Sequence, residues 1–216
     1  MSKTIFFEPM TAFTDLLITL FGVWFALELK DHYQLYFMNV HWYFGRAMWF
    51  VAFASLMGAL YHGLGPHFNP RIQGFIWKLI LILVGLTSFS LVLGAFHHVF
   101  PFHSIRYLRW FMGILLVIYF IVIFRDPRFF NAVLFYVPAM LFVLGIMIYS
   151  YFSYGQAGAV LVIYGILIAF MGAGVQVSGF DLHKHFNHNV IYHLIQIVSL
   201  YFIFKGSLLL TDYGIR

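Results

Sequence analysis

Cysteine is absent from this 216-residue chain, which excludes disulfides, iron–sulfur clusters, thiolate metal sites and cysteine nucleophiles. Charge is nearly as scarce. Asp, Glu, Lys and Arg make up 9% of the residues, against about 25% in an ordinary soluble domain. A water-soluble globular enzyme is therefore excluded. No segment is polar enough for disorder, and the 18 glycines follow no period of three, so collagen is excluded too. There is no repeat of fixed period and no low-complexity tract. The cations are scattered through loops and make no basic face for nucleic acid; they suit lipid headgroups instead. The opening MSKTIFFEPMTAFTD carries one lysine and then two acids before any long apolar run. It does not read as a cleavable signal peptide, so the first helix is expected to stay as an anchor.

What is present is apolar: 63% of residues are hydrophobic and 22% aromatic. Seven runs can be marked, at Thr11–Leu27, Arg46–Leu64, Gly74–Phe96, Tyr107–Phe124, Asn131–Phe152, Ala157–Ser178 and Asn189–Leu210. A spanning helix needs about 20 residues, and in lipid a single spanning segment must be helical to satisfy its own backbone. The expected fold is all-α: one domain, residues 1–216, forming a seven-helix transmembrane bundle with its termini on opposite sides. Pro101, the RDPRFF segment and Gly155–Gln156 supply the later breaks. Lysines and arginines divide six against six between the two sides, so the positive-inside rule gives no orientation.

Ionisable groups inside membrane helices are costly and mark candidate sites. Asp15 opens the first helix, and His62 closes the second. Asp181, His183, His185 and His188 fill the sixth–seventh loop, and Asn189, His193 and Gln196 begin the seventh helix. Up-and-down threading brings Asp15, His62 and His193 to one membrane face at similar depth. Asn189, His193 and Gln196 follow a four-then-three spacing, one continuous helix face. Ser55 and His62 are seven apart and share a face, with the small Gly58 and Ala59 between them. Two polar stripes on a shared interior make a pocket in which imidazoles could bind zinc. Such a zinc lowers the pKa of its water to about 7. Asp15 is then a general base or an orienting partner. It could equally cap the first helix or be a protonated core residue. His32, His41, His97, His98 and His103, toward the opposite face, read as interfacial, as do Trp42, Trp49, Trp77 and Trp110.

With these residues the chain resembles the CREST superfamily: alkaline ceramidases, PAQR receptors and Per1-like proteins, seven-helix membrane proteins regarded as zinc hydrolases of lipid amides. Asp15 matches the first-helix acid, His62 in SLMGALYHG the second-helix histidine, and His193 in HNHNVIYHLIQ the second histidine of the late pair. Gly58 occupies the family's serine position, with Ser55 one turn away on the same face. No aspartate opens the third helix, and Asn189 stands in place of the first late histidine. His188 is about 140° around the helix from His193, so it becomes the third ligand only if the seventh helix starts after it; His185 is a second candidate for that place. The resemblance implies a zinc-dependent membrane hydrolase acting on a lipid amide or ester, with membrane lipids as its partners. Asp15 and Ser55 would be catalytic, His62, His188 and His193 metal ligands, and Asn189, His185, Asp181 and Gln196 supporting residues. Two alternatives stay open. One is a haem protein ligated by His62 and His193, with Gly58 and Gly63 making room for the macrocycle. The other is a receptor or transporter without chemistry.

Overall fold

The chain was analysed as a computed structural model that describes residues 6–183 and 185–215. Lys3, Lys184 and Arg216 of the charge count lie outside these residues, as do the first five of the anchor reading. Seven helices follow in order: α1 Pro9–Tyr36, α2 Asn39–Leu64, α3 Pro70–Val99, α4 Phe102–Arg125, α5 Phe129–Tyr154, α6 Ala157–Ser178 and α7 His188–Leu208. All seven are long and apolar enough to cross a membrane. The fold is the expected all-α seven-helix bundle.

The first five helices overrun their apolar runs, α6 coincides with its run, and α7 stops at Leu208, two residues short of the expected Leu210. α1 continues nine residues past Leu27, and α2 starts at Asn39, seven before Arg46. The added turns carry Glu28, Lys30, Asp31 and the Tyr–Trp residues of headgroup depth, which are compatible with helix but invisible to a hydropathy window. Local chemistry sets the ends. Pro9 and Pro70 occupy first-turn positions of α1 and α3, where a missing N–H costs nothing. Asn69 Oδ1 accepts from Ile72 N–H, and Asn187 Oδ1 accepts from Val190 N–H, capping α3 and α7. Gly155 (φ 63°) and Gly179 (φ 64°) end α5 and α6 in the left-handed conformation that a side chain disfavours.

Six helices close a ring: α1 packs on α2 and α7, α7 on α6, α6 on α5, α5 on α3, and α3 on α2. α4 packs from outside on α3 and α5, and presents Tyr107, Trp110, Phe111, Ile114 and Phe124 outward. The tightest seam is α6–α7. A Cβ on Gly158 would lie 2.6 Å from the Gly206 carbonyl oxygen, and the reverse is also true, so only paired glycines allow this backbone approach. Phe25 and Phe204 stack at 4.4 Å between α1 and α7. Alternating threading places the starts of α1 and α7 and the end of α2 together, and there the candidate residues meet.

The opposite end departs from the expectation. His41, His97 and His98 are 3%, 4% and 0% exposed, so they are core residues rather than interfacial ones. The cause is the segment after α7, which folds back across the bundle. Tyr213 N–H donates to the His97 carbonyl. The Asp212 carboxylate accepts from the backbone N–H groups of Asn39 and Val40, at 2.7 and 2.8 Å, and so caps α2 from the far end of the chain. His103 is exposed, as expected.

Candidate functional site at the α1–α2–α7 end

Asp15 is the seventh residue of α1, whose first is Pro9. It is too deep to cap the helix, which removes that alternative. Its carboxylate is 4% exposed and lies against α2 at Gly58, where an added Cβ would come within 2.8 Å of Oδ2. Gly58 is what admits the acid. From α7, His193 Nε2 approaches Asp15 Oδ1 at 3.5 Å, and His193 Nδ1 lies 2.9 Å from Thr14 Oγ1.

Thr14 Oγ1 is 3.1 and 3.0 Å from the carbonyl oxygens of Met10 and Thr11, which can only accept, and in its contact with His193 Nδ1 the donor is set by the imidazole tautomer. His193 Nε2 is the ring nitrogen that faces the carboxylate. Asp15 Oδ2 is buried without a hydrogen-bond partner, a costly state for a carboxylate oxygen.

His62 sits one turn beyond Gly58, with its Nδ1 3.0 Å from Glu8 Oε2. The segment before α1 is stitched to the end of α2, Glu8 N–H donating to the His62 carbonyl and Phe7 N–H to that of Gly63. His62 lies within electrostatic reach of His193. Both imidazoles therefore have Nδ1 held by an oxygen, Glu8 Oε2 for His62 and Thr14 Oγ1 for His193. A surface pocket of about 170 Å³ between residues 7–11 and His185 and Asn187 opens beside Glu8.

The other expected residues lie elsewhere. His188 is the first residue of α7, and both its N–H and its Nδ1 bond to Asp181 Oδ1, at 2.7 and 2.8 Å. These bonds, the backbone one foremost, hold the Asp181 carboxyl below its ordinary pKa. His185 is exposed in the loop, with its ring 5.4 Å from that of His183. Asn189 Oδ1 accepts from Gln176 Nε2 at 2.7 Å, joining α7 to α6. Among the described residues, no three His, Asp or Glu side chains gather closely enough to hold a metal. The room expected for a haem at Gly58 and Gly63 is taken by α1 and the segment before it: Asp15 faces the first, and Phe6 and Ala12 lie 3.3 and 3.4 Å from a Cβ on the second.

Ser55 and Gln196 line a separate cavity of about 190 Å³ inside the helix ring. Its walls are largely apolar, with Thr87, Tyr136, Gln176 and Ser199 as further polar points. At its edge are Phe129 and Val177, exposed at the start of α5 and the end of α6.

Sequence reasoning missed Thr14 and Glu8 as partners. Thr14 is legible in sequence only as a capping residue. Glu8 lies 54 positions from His62, and no periodicity connects them.

A family model spans residues 10–212, nearly the whole bundle. The chain belongs to DUF6962, a family of unknown function. No curated protein and no solved structure matches it. For this DUF6962 protein, function must be argued from the site itself.

Proposed function

We propose that this DUF6962 protein is a membrane-embedded hydrolase that cleaves the amide or ester bond of a lipid. The observation that carries the reading is the buried Asp15–His193 pair, Nε2 3.5 Å from Oδ1, with Asp15 Oδ2 left without a partner. A leucine at position 15 would avoid that cost, which is several kcal/mol for an uncompensated buried charge. Buried, displaced ionisable groups of this kind cluster at reactive centres.

Asp15 Oδ2, acceptor-only, takes the proton of the attacking water as its oxygen bonds to the acyl carbon. The C–N or C–O bond then breaks, the proton passes to the leaving amine or alkoxide, and the acyl part leaves as a fatty acid. His193 holds the carboxylate in place and is itself oriented by Thr14. The separate cavity inside the ring, apolar with sparse polar points, takes the hydrocarbon part of the substrate, and the exposed edge at Phe129 and Val177 is its entry from lipid.

Zinc is the cofactor that the resemblance to alkaline ceramidases and their relatives implies. The residues present do not fit it: among the described residues no three His, Asp or Glu side chains gather closely enough to hold the ion, and the proton transfer rests on Asp15 itself.

The test is fatty-acid release, followed by mass spectrometry, from N-acyl and O-acyl lipids presented to the full chain in lipid nanodiscs. Release should fall by about 100-fold or more in Asp15→Asn and in His193→Gln, with folding retained. Absence of release from both lipid classes, or release indifferent to both variants, overturns the reading.

A further inference from the structure

The cavity inside the helix ring has an apolar floor and a polar mouth, and polar atoms at the mouth are left over from the protein's own hydrogen bonding. Gln176, near the end of α6, uses Nε2 on Asn189 Oδ1 and leaves Oε1 buried without a partner. Tyr136, two turns into α5, and Tyr192, one turn into α7, line the same space. Among the described residues neither hydroxyl makes a hydrogen bond. Two other groups on the wall show the contrast: Thr87 Oγ1–H donates to the Leu83 carbonyl and Ser199 Oγ–H to that of Gly165, at 2.9 and 2.8 Å. Tyr192 lies within electrostatic reach of both Tyr136 and Asp15, so the mouth is at the end of the bundle that holds Asp15. Leu200 and Ile203 line the floor, about 12–16 Å further along α7 than Tyr192 at 1.5 Å per residue. No Asp, Glu, Lys, Arg or His side chain lines the cavity among the described residues.

We infer that this cavity binds a single uncharged alkyl chain that carries a hydroxyl group at its head end, held between Gln176 and Tyr136. Size, charge and hydrogen bonding each narrow the choice. The volume of about 190 Å³ is a little above the about 150 Å³ of a cavity that takes one benzene, so it holds one chain of medium length and not two. An ionised carboxylate or ammonium would enter without a counter-charge, which burial penalises heavily. Gln176 Oε1 can only accept a hydrogen bond, and a tyrosine hydroxyl can donate one. A ligand hydroxyl answers both at one oxygen atom, donating to Oε1 and accepting from Tyr136 across the α5–α6 mouth. A plain hydrocarbon answers neither and leaves the buried Oε1 bare. The tail then lies toward Leu200 and Ile203, and the exposed edge at Phe129 and Val177 admits the chain from lipid. The hydrolase reading assigns this same cavity to the substrate's hydrocarbon part, and on that reading the acyl chain is hydroxylated close to its carbonyl.

The experiment uses the full chain in lipid nanodiscs, photolabelled with decanol that bears a diazirine at its tail and read by peptide mass spectrometry. Label should fall on the cavity floor, at Leu200 and Ile203. Plain decanol should displace it about tenfold better than decane or decanoate compared at equal concentration in the bilayer. Gln176→Met and Tyr136→Phe should each remove most of that preference. Tyr136→Phe deletes one oxygen atom that no protein group holds, so it decides the matter if Gln176→Met, which also loses the bond to Asn189, does not fold. Label confined to lipid-facing residues, displacement by decane or decanoate as good as by decanol, or a preference that either folded variant leaves unchanged overturns the inference and makes the cavity a water-filled or purely hydrocarbon space. Decanol has no acyl bond, so the result is read without hydrolysis: a protein that releases fatty acid yet shows no preference for decanol keeps the hydrolase reading and loses this one.

Discussion

Gly58→Ala gives the sharpest structural test, because two opposed effects act on one atom. In mid-helix, alanine is favoured over glycine by about 1 kcal/mol. At position 58 the new Cβ would lie 2.8, 3.0 and 3.1 Å from Oδ2, Oδ1 and Cγ of Asp15, and such overpacking costs about 1–3 kcal/mol. Gly113, in the middle of α4 with nothing within 4 Å of an added Cβ, calibrates the propensity alone. Gly113→Ala should therefore raise the unfolding midpoint slightly, and Gly58→Ala should fall below it by the cost of the clash. Gly58→Ser should recover part of the loss, since its hydroxyl can donate to the partnerless Oδ2, a bond worth about 1.5–3 kcal/mol to a charged group. Removing the acid should remove the conflict: the Asp15→Ala, Gly58→Ala pair should couple by about 0.5–3 kcal/mol in a double-mutant cycle. Denaturation in mild detergent, read by tryptophan fluorescence, supplies all the values. If Gly58→Ala behaves like Gly113→Ala, or the two substitutions at 15 and 58 are additive, Asp15 does not lie against Gly58 and the site is wrongly built.

Three further outcomes follow from the same contacts. Asp212→Ala removes the acceptor of the Asn39 and Val40 N–H bonds and should destabilise the fold by about 1–3 kcal/mol; an unchanged unfolding midpoint contradicts the cap. Ser150→Ala leaves His98 Nε2 without its partner in a fully buried position and should cost about 1–3 kcal/mol, whereas a neutral effect contradicts the buried His98–Ser150 bond. Asp181, its pKa pulled down by His188, contributes stability that is present above the ordinary carboxylate range and is lost as pH falls through the lowered value. The pair is exposed and salt-screened, so a carboxyl titration by NMR should show the depressed pKa of Asp181, and Asp181→Asn should change the melting midpoint little.

Much of the architecture was legible because it rests on one strong signal, apolar runs of spanning length, and the helix count follows from it. The ends were less legible. The Glu28–Tyr36 turns of α1 and the Asn39–Gly45 start of α2 are helical outside the hydrophobic window, where hydropathy is silent and backbone capping decides. The meeting of Asp15 with His193 was readable from threading parity alone, since alternate helices return to the same face. Which atoms meet was not. The third-ligand role expected of His188 depends on where α7 begins, and Asn187 caps α7 so that His188 is its first residue and bonds Asp181 instead. The opposite-face histidines looked interfacial because nothing in their spacing announces that residues 210–213 fold back over them.

The most direct test of the central claim is hydrolysis itself, read as fatty-acid release by the full chain in lipid nanodiscs beside the Asp15→Asn variant. The account predicts release that falls by about 100-fold or more in Asp15→Asn with the fold retained. Equal release from the two proteins, or none from either N-acyl or O-acyl lipids, contradicts it.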